Sequence, residues 1–396
     1  MSETLVIVGA SARAAAASAV RANFRPACAD LFADADLRRL GPALVTPDFP
    51  NGLLELARKL SPAPWIYTGG LENYPDVVEA ISRDRVLYGN PPPTLRAVRD
   101  PARIAAALHR HDLKFPECQL AADDLPIDGS WLRKRFHSSA GHGVQIWRGG
   151  QNRRSEDAYF QRRIAGASCA AVFVAANRQS RLIGVTKQLV GSISGEGSVS
   201  RDISRRDDGF QYRGSIGPLQ LTPTAAGKWS TIGSALAREF DLQGLFGVDA
   251  IIDGAGQIWP VEVNPRYTAS VEILERGLGL PALGCHVEAC RDGRLRDDVL
   301  VARGCHGKAI VYARTDLKVD AELAALFERA NEGSEWPQVA DLPNTGTIIR
   351  QGQPVVTVFA ATNHDGTDAS LEVEQALQAT EQELLAVVRA NQSSRR

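Results

Sequence analysis

The stretch VEVNPRYTAS, residues 261–270, sets a carboxylate, an amide and a guanidinium (Glu262, Asn264 and Arg266) at alternate positions of one short apolar run. Residues two apart share a face of a strand, so these three side chains are expected to point the same way. Just upstream, VDAII and QIWPVEV flank DGAG, a strong hairpin signal. Folding that hairpin brings Asp249 within a residue or two of Glu262. Two carboxylates and an amide, with no thiolate or imidazole among them, suit Mg²⁺ or Mn²⁺ shared with phosphate oxygens better than Zn²⁺. The competing reading is a solvated acidic edge. Against it, Glu262 lies between Val261 and Val263, where a lone buried carboxylate is costly.

A second constellation lies about 120 residues earlier, in WLRKRFHSSAGHGV. A strand delivers Lys134 and leads into a loop holding Ser138, Ser139, Gly141 and Gly143. Small residues let backbone N–H groups approach a polyphosphate, and a neighbouring lysine neutralises its charge. The spacing is not that of a P-loop, and a flexible hairpin turn is the alternative. Only seven of the 45 basic residues are lysine, which sharpens interest in each. Cys285, His286, Cys290, Cys305 and His306 invite a zinc reading, but their spacing fits no ribbon or finger, and buried cysteines with a surface histidine are the better expectation.

These groups need a scaffold. Residues 1–90 alternate short apolar runs with helical patterns, which implies a Rossmann-like parallel sheet with crossover helices. Gly9 stands alone after the first strand, where a dinucleotide-binding turn would want two or three glycines. GNPPPTLRAVRDP, residues 89–101, reads as a proline-rich hinge and boundary. Strands with long connections follow to about residue 290. Residues 291–396 form a small α+β region: the strand GKAIVYA, a helix over DAELAALFERANE, two strands around a glycine turn in TGTIIRQGQPVVTVFAAT, and a closing amphipathic helix before a frayed NQSSRR tail. The fold class is therefore α/β in three parts.

At 44% hydrophobic and 23% charged residues, with a formal net charge of -1, the chain reads as a globular protein that favours neither nucleic acid nor anionic lipid. No apolar run approaches the length of a membrane helix, and six sparse cysteines suit reduced thiols, so a cytoplasmic location is expected.

A phosphate loop and a carboxylate site in this order resemble the ATP-grasp superfamily. VEVNPRYTAS looks like its metal and catalytic motif, WLRKRFHSSAGHGV its lysine and glycine-rich loop, and YFQRRIAG (residues 159–166) its adenine-holding hinge. The resemblance covers residues 91–290 as a two-lobed ATP-grasp domain, with DLPNTGTIIRQGQPVVTVFA resembling the C-terminal region of biotin-carboxylase-like members. It implies that Asp249, Glu262 and Asn264 hold Mg²⁺ against ATP and that Arg266 meets the transferred phosphoryl group. It also implies that Lys134, Ser138, Ser139, Gly141 and Gly143 bind the phosphates, that Gln161, Arg162, Arg163 and Ile164 border the base, and that Lys187 is a second basic residue of the site. Two departures stand out: the hinge lacks an acidic residue, and Arg99 or Arg103 stands where many relatives carry lysine.

The activity so implied is an ATP-dependent carboxylate-amine ligase working through an acylphosphate, with a glutamyl-type ligase of methanofuran or tetrahydromethanopterin synthesis as the named candidate. A carboxylase activating bicarbonate and a nucleotide-binding regulatory protein or oxidoreductase are the alternatives. Arginines in residues 201–213 offer an anion clamp, against a solvated charged loop. Relatives often dimerise, so the resemblance admits a homodimer.

Overall fold

The computed structural model describes the chain apart from residues 1, 151–152, 154–155, 192–208, 298–299, 334–335, 365, 367 and 394–396. The first unit is a parallel sheet of β1 (Thr4–Val8), β2 (Arg25–Asp30), β3 (Ala43–Val45) and β4 (Trp65–Tyr67), in the order β3-β2-β1-β4. Helices α1 (Arg13–Arg21), α2 (Ala35–Leu40), α3 (Asn51–Lys59) and α4 (Pro75–Ser82) supply the crossovers. The lone Gly9 has a packing reason: a Cβ there would lie 2.0 Å from Thr68 Oγ1, so β1 and β4 close together at their carboxyl ends only with glycine.

The proline-rich stretch expected to be a hinge contains a short helix, α5 (Pro92–Val98), and leads into α6 (Pro101–His109), each with proline in its first turn. There the missing N–H costs nothing and the fixed φ favours the helix. Asn90, fully buried, locks the junction by donating to the carbonyls of Gln243 and Pro265 and accepting from Gln243 N.

A small antiparallel sheet follows, of β5 (Cys118–Gln119), β6 (Trp131–Arg135), β7 (Val144–Ile146) and β8 (Ala158–Arg162), ordered β5-β8-β6-β7. It faces a large antiparallel sheet that begins with β9 (Ala167–Ala176), β10 (Gln179–Gly191) and β11 (Gln211–Gly217), and continues with β12 (Gly244–Ile252) and β13 (Ile258–Asn264). Helix α7 (Pro223–Phe240) packs on one face over β10 and β9, its Trp229, Ile232 and Leu236 sharing one core with Phe246, Val248 and Ala250. Phe173 and Phe246 stack there with centroids 5.0 Å apart. Alternation then turns Gly247 and Asp249 to the opposite face. Helices α8 (Ala269–Leu278) and α9 (Ala282–Asp292) cover that face and meet α1.

The region beyond residue 290 extends this large sheet. Strand β14 (Cys305–Tyr312) joins β11, and the order among the described residues is β13-β12-β9-β10-β11-β14-β18-β16. Between them run β15 (Leu317–Lys318), α10 (Ala321–Arg329), β16 (Val339–Ala340), β17 (Ile348–Ile349) and β18 (Pro354–Thr362). The two strands expected to pair around a glycine turn do not pair with each other. β17 pairs with β15, while β18 inserts between β14 and β16, where Val356 and Val358 are buried. Helix α11 (Ala369–Ser393) closes the chain and continues into the segment expected to fray.

Candidate active site

The β12–β13 hairpin sets Asp249 directly opposite Glu262 and Gly247 opposite Asn264. Directly opposed residues hold their Cβ atoms about 5 Å apart, so the two carboxylates share one patch. Asn264 Nδ2 donates to Asp249 Oδ2 at 3.0 Å, and Gln188 Nε2 donates to Asp249 Oδ1 at 2.9 Å. Burial, reinforced by the charge of Glu262, pushes the Asp249 carboxyl up to about 7, against the pull of Arg266 and Lys134. Burial presses Glu262 upward too, but Arg99 and Lys134 outweigh it and hold that carboxyl below its usual range.

Arg266 departs from the strand-face expectation. β13 ends at Asn264, and Arg266 N bonds Asn264 O at 2.8 Å in a tight turn about Pro265, so the turn aims the guanidinium. Its Nε and Nη2 both bond Glu72 Oε1, at 2.9 and 2.6 Å, and Nη2 touches Asn264 Oδ1 at 3.2 Å. Glu72 sits in the short helical turn Leu71–Asn73 after β4, so the first unit contributes directly to the site. Its Oε2, and Asn73 Oδ1 beside it, are buried without a partner. Sequence reading missed both residues. The signal was available, because polar groups that follow a strand at the carboxyl edge of a parallel sheet are placed to meet ligands.

Lys134, nearly fully buried on β6, donates to Gln161 Oε1 and to the Val261 carbonyl, each at 3.2 Å. Both acceptors are neutral, which leaves its charge available. Burial opposes that charge, yet Tyr159 and Glu262 more than compensate, and its pKa lies above the usual value. Arg99, the C-cap of α5, occupies the place where relatives were expected to carry lysine. Its Nη1 bonds Glu262 Oε1 at 2.5 Å, and its Nη2 bonds the carbonyls of Phe136 and Ser138 at 3.0 and 3.3 Å.

The glycine-rich loop is folded down between the Leu71–Asn73 turn and β11. Asn73 Nδ2 donates to the Ser138 carbonyl at 3.3 Å, His137 Nδ1 meets the Asn73 carbonyl at 3.0 Å, and Tyr212 N donates to the Ala140 carbonyl at 3.0 Å. Gly141, at φ +78°, passes so close to β11 that a Cβ would fall 1.9 Å from Phe210 O. Beneath the loop is a cleft bordered by Arg99, Lys134, Ser138, Ser139, Gly141 and Glu262, among others.

Other expectations are placed elsewhere. Gly143 shapes the loop by packing on Arg135. Lys187 lies on the face of β10 opposite Gln188 and bonds Glu374 of α11 at 2.6 Å, so strand alternation carries it away from the carboxylates. Gln161 is buried and supports Lys134 rather than bordering the cleft. The side chains of Arg162 and Arg163 are exposed and their N–H groups donate to Glu117 and Ser130 carbonyls, while Ile164 is half-buried in the connection to β9. The clamp expected at 201–213 lies largely outside the described residues; within them, Arg213 bonds Glu381 at 2.6 Å.

No group of three or more His, Cys, Asp or Glu able to hold a metal exists among the described residues. His286, expected at the surface, is instead buried, accepting from Leu245 N and meeting the Tyr88 carbonyl, with burial pushing its pKa down to about 4. The Asp249, Glu262 and Asn264 set does fit a divalent cation shared with phosphates. Two half-buried, opposed carboxylates, one of them pushed to about 7 by desolvation and by the charge of the other, are what such an ion would relieve.

Residues 98–270 match the family profile of the ATP-grasp domain. No curated protein matches the chain in sequence. Among solved structures, it is similar to a carboxyaminoimidazole ribonucleotide synthase of Aspergillus clavatus complexed with ATP (11% identity, 98% of this chain and 99% of that one, TM-score 0.68). It is likewise similar to the biotin carboxylase domain of a Hydrogenobacter thermophilus 2-oxoglutarate carboxylase with MgADP, ADP and bicarbonate (11%, 90% and 86%, 0.65). A third is Rhizobium etli pyruvate carboxylase (12%, 98% of this chain and 39% of that one, 0.71). At these identities the likeness establishes a shared fold.

Proposed function

With an ATP-grasp domain at residues 98–270 as premise, we propose that the protein is an ATP-dependent carboxylate-amine ligase. The observation that carries this reading is the closed arrangement of Glu262, Arg99 and Lys134 around one cleft under the Ser138–Gly143 loop. Lys134 binds the α- and β-phosphates of ATP, and the loop covers them and excludes water. Asp249, Glu262 and Asn264 would hold Mg²⁺ or Mn²⁺, which when bound would neutralise phosphate charge. Arg266, aimed by the turn at Pro265 and steadied by Glu72, is assigned the role of stabilising the charge that develops on the transferred phosphoryl group.

A substrate carboxylate oxygen attacks the γ-phosphorus in line, the bond to the bridging oxygen of ADP breaks, and an acylphosphate forms. An amine nitrogen then attacks the acyl carbon, phosphate leaves, and the nitrogen loses a proton to give the amide. The residues act by placement and electrostatics, and no side-chain nucleophile is required. ADP release by the purified protein, measured over a panel of carboxylic acids with and without amines, tests this reading. Stimulation that needs both partners supports it. No response to any pair refutes it.

A carboxylase that activates bicarbonate is the second reading, favoured by the structural likeness to carboxylases, one of them solved with bicarbonate. ADP release that answers to bicarbonate and ignores amines selects it. Within the ligase reading, the narrower proposal of a glutamyl-type ligase of one-carbon cofactor synthesis rests on the whole-chain resemblance, and glutamate belongs in the panel for that reason. Among the described residues no helix is long and apolar enough to cross a membrane. The six sparse cysteines, all free thiols, support a cytoplasmic placement.

A further inference from the structure

Three buried or half-buried arginines of this protein set the Nε and Nη2 edge of the guanidinium against a carboxylate. Arg13 does so with Asp341 at 2.9 and 3.3 Å, Arg266 with Glu72 at 2.9 and 2.6 Å, and Arg296 with Glu288 at 2.8 and 2.5 Å. That edge presents two parallel N–H groups and matches a carboxylate or phosphate bidentately. Arg276, in the last turn of α8, is 8% exposed, and both Nε and Nη2 are enclosed without a hydrogen-bond partner.

Among the described residues, the neighbouring carboxylates of α8 are already engaged. Glu272 bonds Arg13 and Lys308, while Glu275 bonds Arg21, Ser18 and the N–H of Ala282. Two aromatic rings hold the guanidinium: Phe359 with its centroid 3.5 Å away and Trp336 at 5.0 Å. Arg21 lies on the same indole at 4.3 Å. Contacts with aromatic faces stabilise the cation but do not accept the N–H bonds of its edge. Burial, with Arg13 and Arg21 adding like charge, pulls Arg276 down to about 10 although Glu272 opposes. A buried donor pair of this kind, left empty, is costly.

We propose that the Arg276 edge is a binding site for an oxyanion, a carboxylate or phosphate group, held bidentately beside Arg21 and under the Trp336 ring. The site lies apart from the proposed catalytic cleft. Arg276 is seven residues into α8 from Ala269, about 10 Å along the helix axis, and it is not among the residues bordering the cleft. The inference does not depend on the ligase reading.

The test follows phosphate, acetate and chloride at matched ionic strength by thermal melting and by tryptophan fluorescence. It uses the wild-type chain, Arg276→Met, Arg276→Lys and, to separate this site from the nucleotide cleft, Lys134→Gln. Wild type is expected to gain melting temperature saturably with phosphate or acetate beyond the effect of chloride, and the two arms tell which anion is preferred. Lys134→Gln keeps that response. Arg276→Met weakens it about tenfold or more, the worth of a charge-assisted bond pair, while melting no lower than wild type in anion-free buffer. If Arg276→Met does not fold, Arg276→Lys decides, because it keeps the charge but loses the fork: weakened binding supports the site and unchanged binding overturns it. A wild-type response no larger than that to chloride, or one abolished by Lys134→Gln and retained by the Arg276 variants, also overturns it.

Discussion

Arg99 Nη1 donates to Glu262 Oε1 at 2.5 Å while Nη2 of the same guanidinium holds the Phe136 and Ser138 carbonyls. One side chain thus ties the carboxylate strand to the loop that covers the cleft, and a point charge cannot span both. Arg99→Lys is therefore expected to keep the fold and raise the KM for ATP about tenfold, the loss of one or two bonds to a charged donor. Steady-state ADP release across ATP concentrations measures it, and an unchanged KM would show that the loop is held by its other contacts.

The Asp249 carboxyl, pushed up to about 7, makes the site pH-dependent. The folded chain retains a proton that the unfolded chain releases in the ordinary carboxylate range. Metal-free stability should therefore fall as pH rises from that range to about 7 and level off above it. Apparent Mg²⁺ affinity runs the other way, rising through about pH 7 as Asp249 ionises. Asp249→Asn should flatten both curves. Denaturant titrations with and without Mg²⁺ between pH 5 and 8 give the comparison, and a wild-type profile shared by Asp249→Asn would assign the pH dependence to another group.

Gly141 is required by contact and by backbone alike, since a Cβ would fall 1.9 Å from Phe210 O at φ +78°. Gly141→Ala should lift the loop from β11 and leave the remote core intact. The expected signature is a lower kcat with melting reduced by only about 1–2 kcal/mol in stability. Limited proteolysis should cut the loop faster than in wild type, and an unchanged cleavage pattern would argue against a loop held by this contact.

Lys187 bonds Glu374 across the outer face of the large sheet, with its side chain 41% exposed. Lys187→Ala should leave nucleotide binding and turnover within about twofold of wild type and cost no more than about 1 kcal/mol of stability. A large loss of turnover with normal ATP binding would return this residue to the site.

The sequence determined a good deal by itself. Alternation in VEVNPR and the DGAG turn were enough to bring Asp249 within a residue or two of Glu262 and Asn264, but the register, with its irregularity between Asp249 and Ala250, was decided by the folded sheet. The lysine before a small-residue loop was legible for a similar reason: β6 and its loop are adjacent in the chain. What tertiary structure alone decided depends on distant segments meeting. Glu72 reaches Arg266 across 194 positions and Arg99 reaches Glu262 across 163, and no local pattern encodes such partners. The same limit explains Lys187 and Gln188: whether 187 or 188 faces the carboxylates depends on which side of β10 the sheet buries, and the helices packed against it settle that. The empty edge of Arg276 belongs to this second class. Its charge is written in the sequence, but that Glu272 and Glu275 are already engaged follows only from the packing of α1, α8 and β14 around one another.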